Sequence, residues 1–176
     1  MIQSSHAVAV TVAAVSPECA QASGLIREYF EDILSRAHGR RATDAEIDTA
    51  LDNAPDDGLA PPHGVFLVAR QGEAAVACAG MLLLPPDTAE VRRVYTAPAA
   101  RGQGIGSLLL HELEARAREL GVTRMRLDTR DDLVEARRMY SRHGYEEVPA
   151  FNDDPHVDHW LAKSLRRAAR PGSSAG

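Results

Sequence analysis

The stretch Arg93-Val94-Tyr95-Thr96-Ala97-Pro98-Ala99-Ala100-Arg101-Gly102-Gln103-Gly104-Ile105-Gly106-Ser107-Leu108 decides how this chain folds. It passes from residues that favour strands, through a turn, into three glycines within five positions. Beyond the glycines, Ile105, Leu108, Leu109, Glu112 and Ala115 set the faces of a helix over 104–120, which Gly121 stops. The opening of a helix carries unpaired backbone N–H groups and the positive end of its dipole, an environment that suits a phosphate. Glycines there let the phosphate approach the backbone. A tight turn that needs glycine for conformation alone looks similar, but the adjoining Arg101 favours phosphate.

Outward from this core the chain reads as alternating elements. Upstream, Ala89–Thr96 is a strand, and Val65–Arg70 and Ala74–Leu84 are two more, joined by Gln71-Gly72-Glu73 as a hairpin. Residues 53–64, with their prolines and Asp/Asn/Gly positions, form a loop. Thr43-Asp44-Ala45-Glu46 is a capping box that opens a short helix through Leu51. Before it, Leu25, Ile26, Tyr29, Phe30, Ile33 and Leu34 recur at helical spacing; Ser16-Pro17-Glu18 is expected to start that helix and Gly39 to end it. Ala7–Val15 is apolar but alternates Val8, Val10 and Val12 with small or polar residues, and no Lys or Arg precedes it, so it reads as a first strand and not a signal peptide. Downstream, a strand over 122–129, a helix over 132–143, a strand over 144–148 and a last strand over 157–162 complete the pattern. The tail, with its Arg pairs and Pro-Gly-Ser-Ser, is expected to be disordered.

The order β-α-α-β-β-β-α-β-α-β-β, with three hairpin-linked strands followed by a βαβ crossover, predicts an α/β (α+β) domain. Its single mixed, mostly antiparallel sheet of about seven strands would carry helices on both faces. We expect one domain over 1–165 and a tail over 166–176. The 176 residues, 44% of them apolar, are enough for one core without a disulfide or structural metal. A net charge of −5 argues against a general nucleic-acid binder, and no apolar run approaches the ~20 residues of a membrane span. Cys19 and Cys78 have no partner spacing and imply a reducing, cytoplasmic setting. Oligomeric state is not legible; a homodimer is compatible with the sequence.

Two nucleotide motifs compete for the glycine loop. A nucleotide P-loop needs Lys followed by Ser or Thr, and Gly106-Ser107-Leu108 has no Lys. A dinucleotide fingerprint matches Gly102 and Gly104 but meets Ser107 at its third glycine. Asp128 lies at about the ~20-residue distance of a ribose-binding acid. However, the loop follows antiparallel strands past the middle of the chain, not the first strand of a parallel sheet.

The stretch resembles the GNAT superfamily of N-acetyltransferases, whose cofactor motif reads Arg/Gln-x-x-Gly-x-Gly/Ala. Arg101, Gly104 and Gly106 match it. Arg93-Val94-Tyr95-Thr96-x-Pro98 precedes the loop as the family's cofactor strand does, and Arg137-Arg138-Met139-Tyr140-x-x-x-Gly144-Tyr145 resembles its Tyr-bearing second motif. The resemblance implies acetyl-CoA as cosubstrate, no metal, and a primary amine of a small molecule, amino acid or protein as acceptor. It implies cofactor contacts from Val94, Tyr95 and Thr96 and from Arg101, Gly102, Gln103, Gly104, Ile105, Gly106 and Ser107. Glu90, eleven residues before Arg101, would be the general base, and Tyr140 the general acid on the departing sulfur. The oxyanion donor would be a main-chain N–H of the strand before the loop. Leu133 stands where the family often has a cofactor-contacting Asn, which implies altered pantetheine contacts. Acceptor-side residues would be Tyr29, Phe151 and Asn152. The alternative is a non-catalytic acyl-CoA-binding module of the same fold, which the joint presence of Glu90 and Tyr140 disfavours. His156 and His159, near Asp153, Asp154 and Asp158, make at most a weak metal pattern.

Overall fold

A computed structural model describes residues 9–166. The elements in chain order are β1 (Val10–Ala14), α1 (Ala20–His38), α2 (Asp44–Asn53), β2 (Gly64–Gln71), β3 (Ala74–Leu84), β4 (Thr88–Thr96), α3 (Ile105–Glu119), β5 (Arg124–Thr129), α4 (Val134–Arg142), β6 (Glu146–Glu147) and β7 (His159–Ser164). The seven strands form one mixed sheet in the order β1-β2-β3-β4-β5-β7-β6. Among the described residues only β4 and β5 run parallel, as a βαβ crossover requires; the remaining pairs are antiparallel.

Alternation along the strands divides the core in two. Leu67, Ala69, Ala79, Met81, Val91, Met125 and Leu127 face α3 and α4, against Leu109, Leu110, Leu113 and Met139. Phe66, Val68, Cys78 and Tyr95 point the other way, against Leu25, Ile26 and Phe30 of α1 and Ile47 of α2. The sheet therefore carries helices on both faces. The predicted capping box at α2 is complete: the Thr43 hydroxyl accepts from the Glu46 N–H, and the Glu46 carboxylate accepts from the Thr43 N–H. Gly39 ends α1 in the left-handed conformation, at φ 63°.

Several boundaries differ from expectation, among them the strand expected over 144–148, which is only Glu146–Glu147. Helix α1 begins at Ala20 with Cys19 as its capping position, because Ser16 is spent on a preceding turn in which its hydroxyl accepts from the Glu18 N–H. The strand expected over 157–162 lies at His159–Ser164, since 155–158 turn before pairing begins. Past β7, Leu165 is buried, and its N–H donates to the Thr123 carbonyl. Val8 and residues 167–176 of the expected tail lie outside the described residues.

Candidate active site

The site arises where two parallel strands part. β4 and β5 pair only from Thr88 to Glu90 against Arg124 to Arg126. Beyond Glu90, the edge of β4 that faces β5 has no ladder partner, and its N–H and C=O groups line a cleft of about 720 Å³. A bulge sharpens the parting. Cys78 pairs with Tyr95 while Gly80 pairs with Arg92, so β4 carries one residue more than β3 over this span. Arg93 sits in the bulge at φ 56°, a conformation uncommon for a non-glycine residue. Its guanidinium is held against the Asp56 carboxylate at 2.8 Å, donates to the Ala54 carbonyl and lies 4.8 Å from the centre of the Phe30 ring. Surroundings that fix Arg93 on several sides offset the cost of that backbone.

At the wide end of the cleft stands the start of α3. Gly104 caps it in the left-handed conformation (φ 77°) after Gly102 at φ 76°, which is where residues with a Cβ would be strained. The first helical bond runs from the Leu108 N–H to the Gly104 carbonyl, so the amides before it have no acceptor within the helix. Gly106 serves a second purpose: a Cβ there would sit 3.1 Å from the Met139 sulfur, so its absence lets α3 and α4 pack closely. Arg101 ties the glycine loop to the end of β4, with Nε donating to the Thr96 carbonyl at 2.9 Å. Arg101, Gly102, Gly104, Ile105, Gly106, Ser107, Val94, Tyr95 and Thr96 all line the cleft. Ile105 and Tyr95 have side chains buried in the core, which leaves their backbone as the part able to meet a ligand. Gln103 is not on the lining; its side chain accepts from Gln71 and donates to the Ala99 carbonyl. Leu133 lines the cleft at the start of α4.

At the narrow end, Tyr140 of α4 lies 6% exposed among Tyr145, Met139 and the β4–β5 gap. Burial pushes its phenol up, and Tyr29 and Asp128 nearby add to the shift, so the hydroxyl keeps its proton at neutral pH. Glu90 lines the cleft as well, but both of its oxygens are engaged. Oε1 accepts from Arg92 Nε and Nη2 at 2.9 and 2.6 Å, and Oε2 accepts from Arg126 Nε at 2.9 Å. Asp128 is the acid away from the exposed rim that has no cationic partner among the described residues. Its Oδ2 accepts from the Asn152 side-chain amide at 2.7 Å, and among the described residues it makes no ion pair within 4 Å. Burial, with a smaller push from Glu90, raises its carboxyl above the ordinary aspartate range. Asn152 in turn accepts from Trp160 Nε1 at 2.9 Å, which fixes which way its amide points.

The match to known proteins agrees with this arrangement. The model of the acetyltransferase (GNAT) family matches residues 25–145. This chain belongs to the GNAT family. An uncharacterised N-acetyltransferase of Schizosaccharomyces pombe is 33% identical over 134 residues, covering 74% of this chain and 78% of its own. A Klebsiella pneumoniae structure assigned as an acyl-CoA N-acyltransferase superposes with a TM-score of 0.70 at 28% identity, over 90% of this chain and 99% of that one. The PaiA N-acetyltransferase of Thermoplasma acidophilum, solved with coenzyme A, shares the fold: TM-score 0.70, 17% identity, 89% and 99% coverage. The protein is thus a GNAT acyltransferase.

Of the three residues expected on the acceptor side, Tyr29 and Asn152 line the cleft, whereas Phe151 lies outside its lining and stacks under the Arg126 guanidinium at 4.1 Å. From the sequence, Asp128 is only a ribose-binding rival, Arg92 only a potential partner of Glu90, as it proves to be, and Trp160 has no role. The period-two alternation Arg124, Arg126, Asp128 was the available signal, since it places Asp128 on the same face as Glu90. His159 is held between Asp131 (2.6 Å) and Glu147 (2.8 Å), away from His156. Among the described residues no group of three or more His, Cys, Asp or Glu is arranged to hold a metal, and no helix is long and apolar enough to cross a membrane.

Proposed function

We propose that this GNAT enzyme transfers an acetyl group from acetyl-CoA to a primary amine, with Asp128 accepting the amine proton and Tyr140 donating to the departing sulfur. The observation that carries the reading is the open edge of β4 after Glu90, which joins a glycine-lined helix start at one end to Tyr140 and Asp128 at the other. The residues present fit the cosubstrate. The α3 amides and Arg101 suit a diphosphate, and the unpaired edge of β4 suits the amides of an extended arm, which would add to it as another strand. Acetyl-CoA, when bound, supplies the activated acyl thioester.

The chain's own groups then divide the work. An amine of the lysine type, with a pKa near ~10.4, arrives protonated and must lose its proton to be nucleophilic. Asp128 has an Oδ1 without a hydrogen-bond partner among the described residues and a carboxyl raised by burial, which brings its proton affinity nearer to neutrality. Glu90 spends both oxygens on arginines, so we assign it to holding Arg92 and Arg126 and give the proton to Asp128. A main-chain N–H on the open edge of β4 would donate to the developing oxyanion. Two protons leave the nitrogen in all: Asp128 passes the first to solvent, takes the second as the adduct collapses to the amide, and returns it through water to Tyr140, which has protonated the departing sulfur. Free Cys19 and Cys78 fit a reducing compartment, and we place the protein in the cytoplasm.

The test has two stages. Acetyl-CoA at about a hundred times its Kd should stabilise the protein by about 2.7 kcal/mol, and NAD should not. Thiol release should then follow with at least one member of an amine panel. Unchanged melting with acetyl-CoA removes the site; tight binding without turnover leaves a binding module.

A further inference from the structure

The acceptor end of the cleft carries an unusual charge balance. By strand alternation and the register Glu90 against Arg126, the side chains of Glu90, Arg92, Arg126 and Asp128 share one face of the sheet, opposite to buried Val91, Met125 and Leu127. Glu90 is a single anion between two cations, bound at 2.6–2.9 Å by Arg92 and at 2.8–2.9 Å by Arg126. The three together are left with one positive charge. That charge reaches the ligand space through Arg92, which lines the cleft and whose side chain is 40% exposed. Its Nη1 has no partner among the described residues. Arg126 stands behind, stacked on Phe151 and 28% exposed, so it serves to cancel Glu90.

Asp128 is the opposite case. It is a half-buried anion whose partner, Asn152, is neutral. Asp128 and Arg92 both line the cleft but form no ion pair within 4 Å, so Arg92 acts on the Asp128 carboxyl only from a distance and more weakly than burial or Asn152. Of the other charges that line the cleft, Arg142 stands exposed at the C-terminal end of α4 with no ion pair among the described residues. Arg93 is matched by Asp56, and Arg36 by Asp32 and Glu135. Arg101 lies toward the glycine loop with Asp32 at 3.5 Å. Asp154 is at the exposed rim, where its oxygen accepts from the His156 N–H.

We infer that the acceptor is a small zwitterion, an amino acid whose amine meets Asp128 beside Tyr140 while its carboxylate meets Arg92. This rests on the acyl-transfer reading of the same site and narrows it to one class of amine. One uncompensated cation and one uncompensated anion on neighbouring strands are complementary to a molecule that holds the reverse pair a few bonds apart. A diamine would bring a second cation to Arg92. A peptide N-terminus would bring a neutral amide there, leaving the guanidinium without its anion. Both are disfavoured because a charge-assisted hydrogen bond is replaced by repulsion or by an unmatched donor.

The experiment uses the full chain with acetyl-CoA and follows thiol release with matched sets: each of several amino acids, its α-amide and its decarboxylated amine. The amino acid should exceed both analogues in kcat/KM by at least tenfold. Arg92→Gln should collapse that ratio toward one mainly by raising KM for the amino acid, and Arg92→Lys, which keeps the charge, should retain much of it. Equal turnover of acid, amide and decarboxylated amine overturns the inference and leaves the acyl-transfer reading standing. A ratio unmoved by Arg92→Gln in folded protein also overturns it. No turnover with any amine, with acetyl-CoA still bound, overturns both.

Discussion

Two carboxylates, Glu90 and Asp128, line the same cleft, and exchanging each for its amide separates their tasks. In Asp128→Asn the new side-chain oxygen can still accept the Asn152 amide bond now made at 2.7 Å, so folding should change little. What disappears is the ability to take a proton. General-base catalysis contributes roughly 10²–10⁴-fold, which at ~1.4 kcal/mol per tenfold is about 3–5 kcal/mol of barrier. Glu90→Gln inverts the pattern. A single amide oxygen can serve only one of Arg92 and Arg126, and the amide NH2 then faces the other guanidinium donor to donor. The arginines are 40% and 28% exposed, so solvent screens part of the loss, and about 1–3 kcal/mol of stability is expected. The assays are kcat/KM against pH by thiol release, and urea denaturation of both variants. In the unmodified protein, kcat/KM should fall as pH drops through the Asp128 carboxyl. Because burial raises that group, the fall should begin above the pH at which an ordinary aspartate, near ~3.9, would cause it. Asp128→Asn should lose both the rate and that limb. Full activity in Asp128→Asn, alongside a Glu90→Gln protein that is stable and inactive, would refute the assignment and return the base to Glu90.

Further outcomes follow from the same geometry. Tyr140→Phe should lower kcat by roughly 10²-fold with acetyl-CoA affinity little changed, as steady-state kinetics and calorimetry would report. Gly104→Ala forces a Cβ onto a residue at φ 77°, at a cost of about 1–2 kcal/mol, and should weaken acetyl-CoA binding in titration because the amides of the first turn move. Thr43→Ala removes the hydroxyl that accepts from the Glu46 N–H and should cost about 1 kcal/mol in urea, with kcat/KM unaffected. Lys163→Met leaves Glu114, only 3% exposed, with Arg118 at 3.6 Å in place of the 2.7 Å ammonium. It should destabilise by about 3 kcal/mol, read as a fall in melting temperature.

The chain's local rules were readable because they are local. Period-two and 3.6-residue patterns, the Thr43–Glu46 box and the Gly39 and Gly121 stops each depend on neighbours within a few residues, and the elements fall where those patterns put them. The glycine loop and Tyr140 stand out in the sequence because their motifs are contiguous, and the structure places both on the lining of one cleft. Boundaries failed where competing local bonds decided, as at Ser16, whose hydroxyl takes the Glu18 N–H in a turn before α1 begins.

The identity of the free carboxylate was beyond the sequence. Glu90 and Asp128 are both acids on strands, and only the pairing of β4 with β5 places Arg126 beside Glu90 and spends its second oxygen. The same pairing ends at Glu90, and that ending opens the cleft. Phe151 looked like an acceptor contact from its place in the chain, yet in three dimensions its ring supports Arg126. Sequence spacing determines what a strand or helix presents to each side; which charges then meet, and which are left over, depends on strands brought together from 36 residues apart.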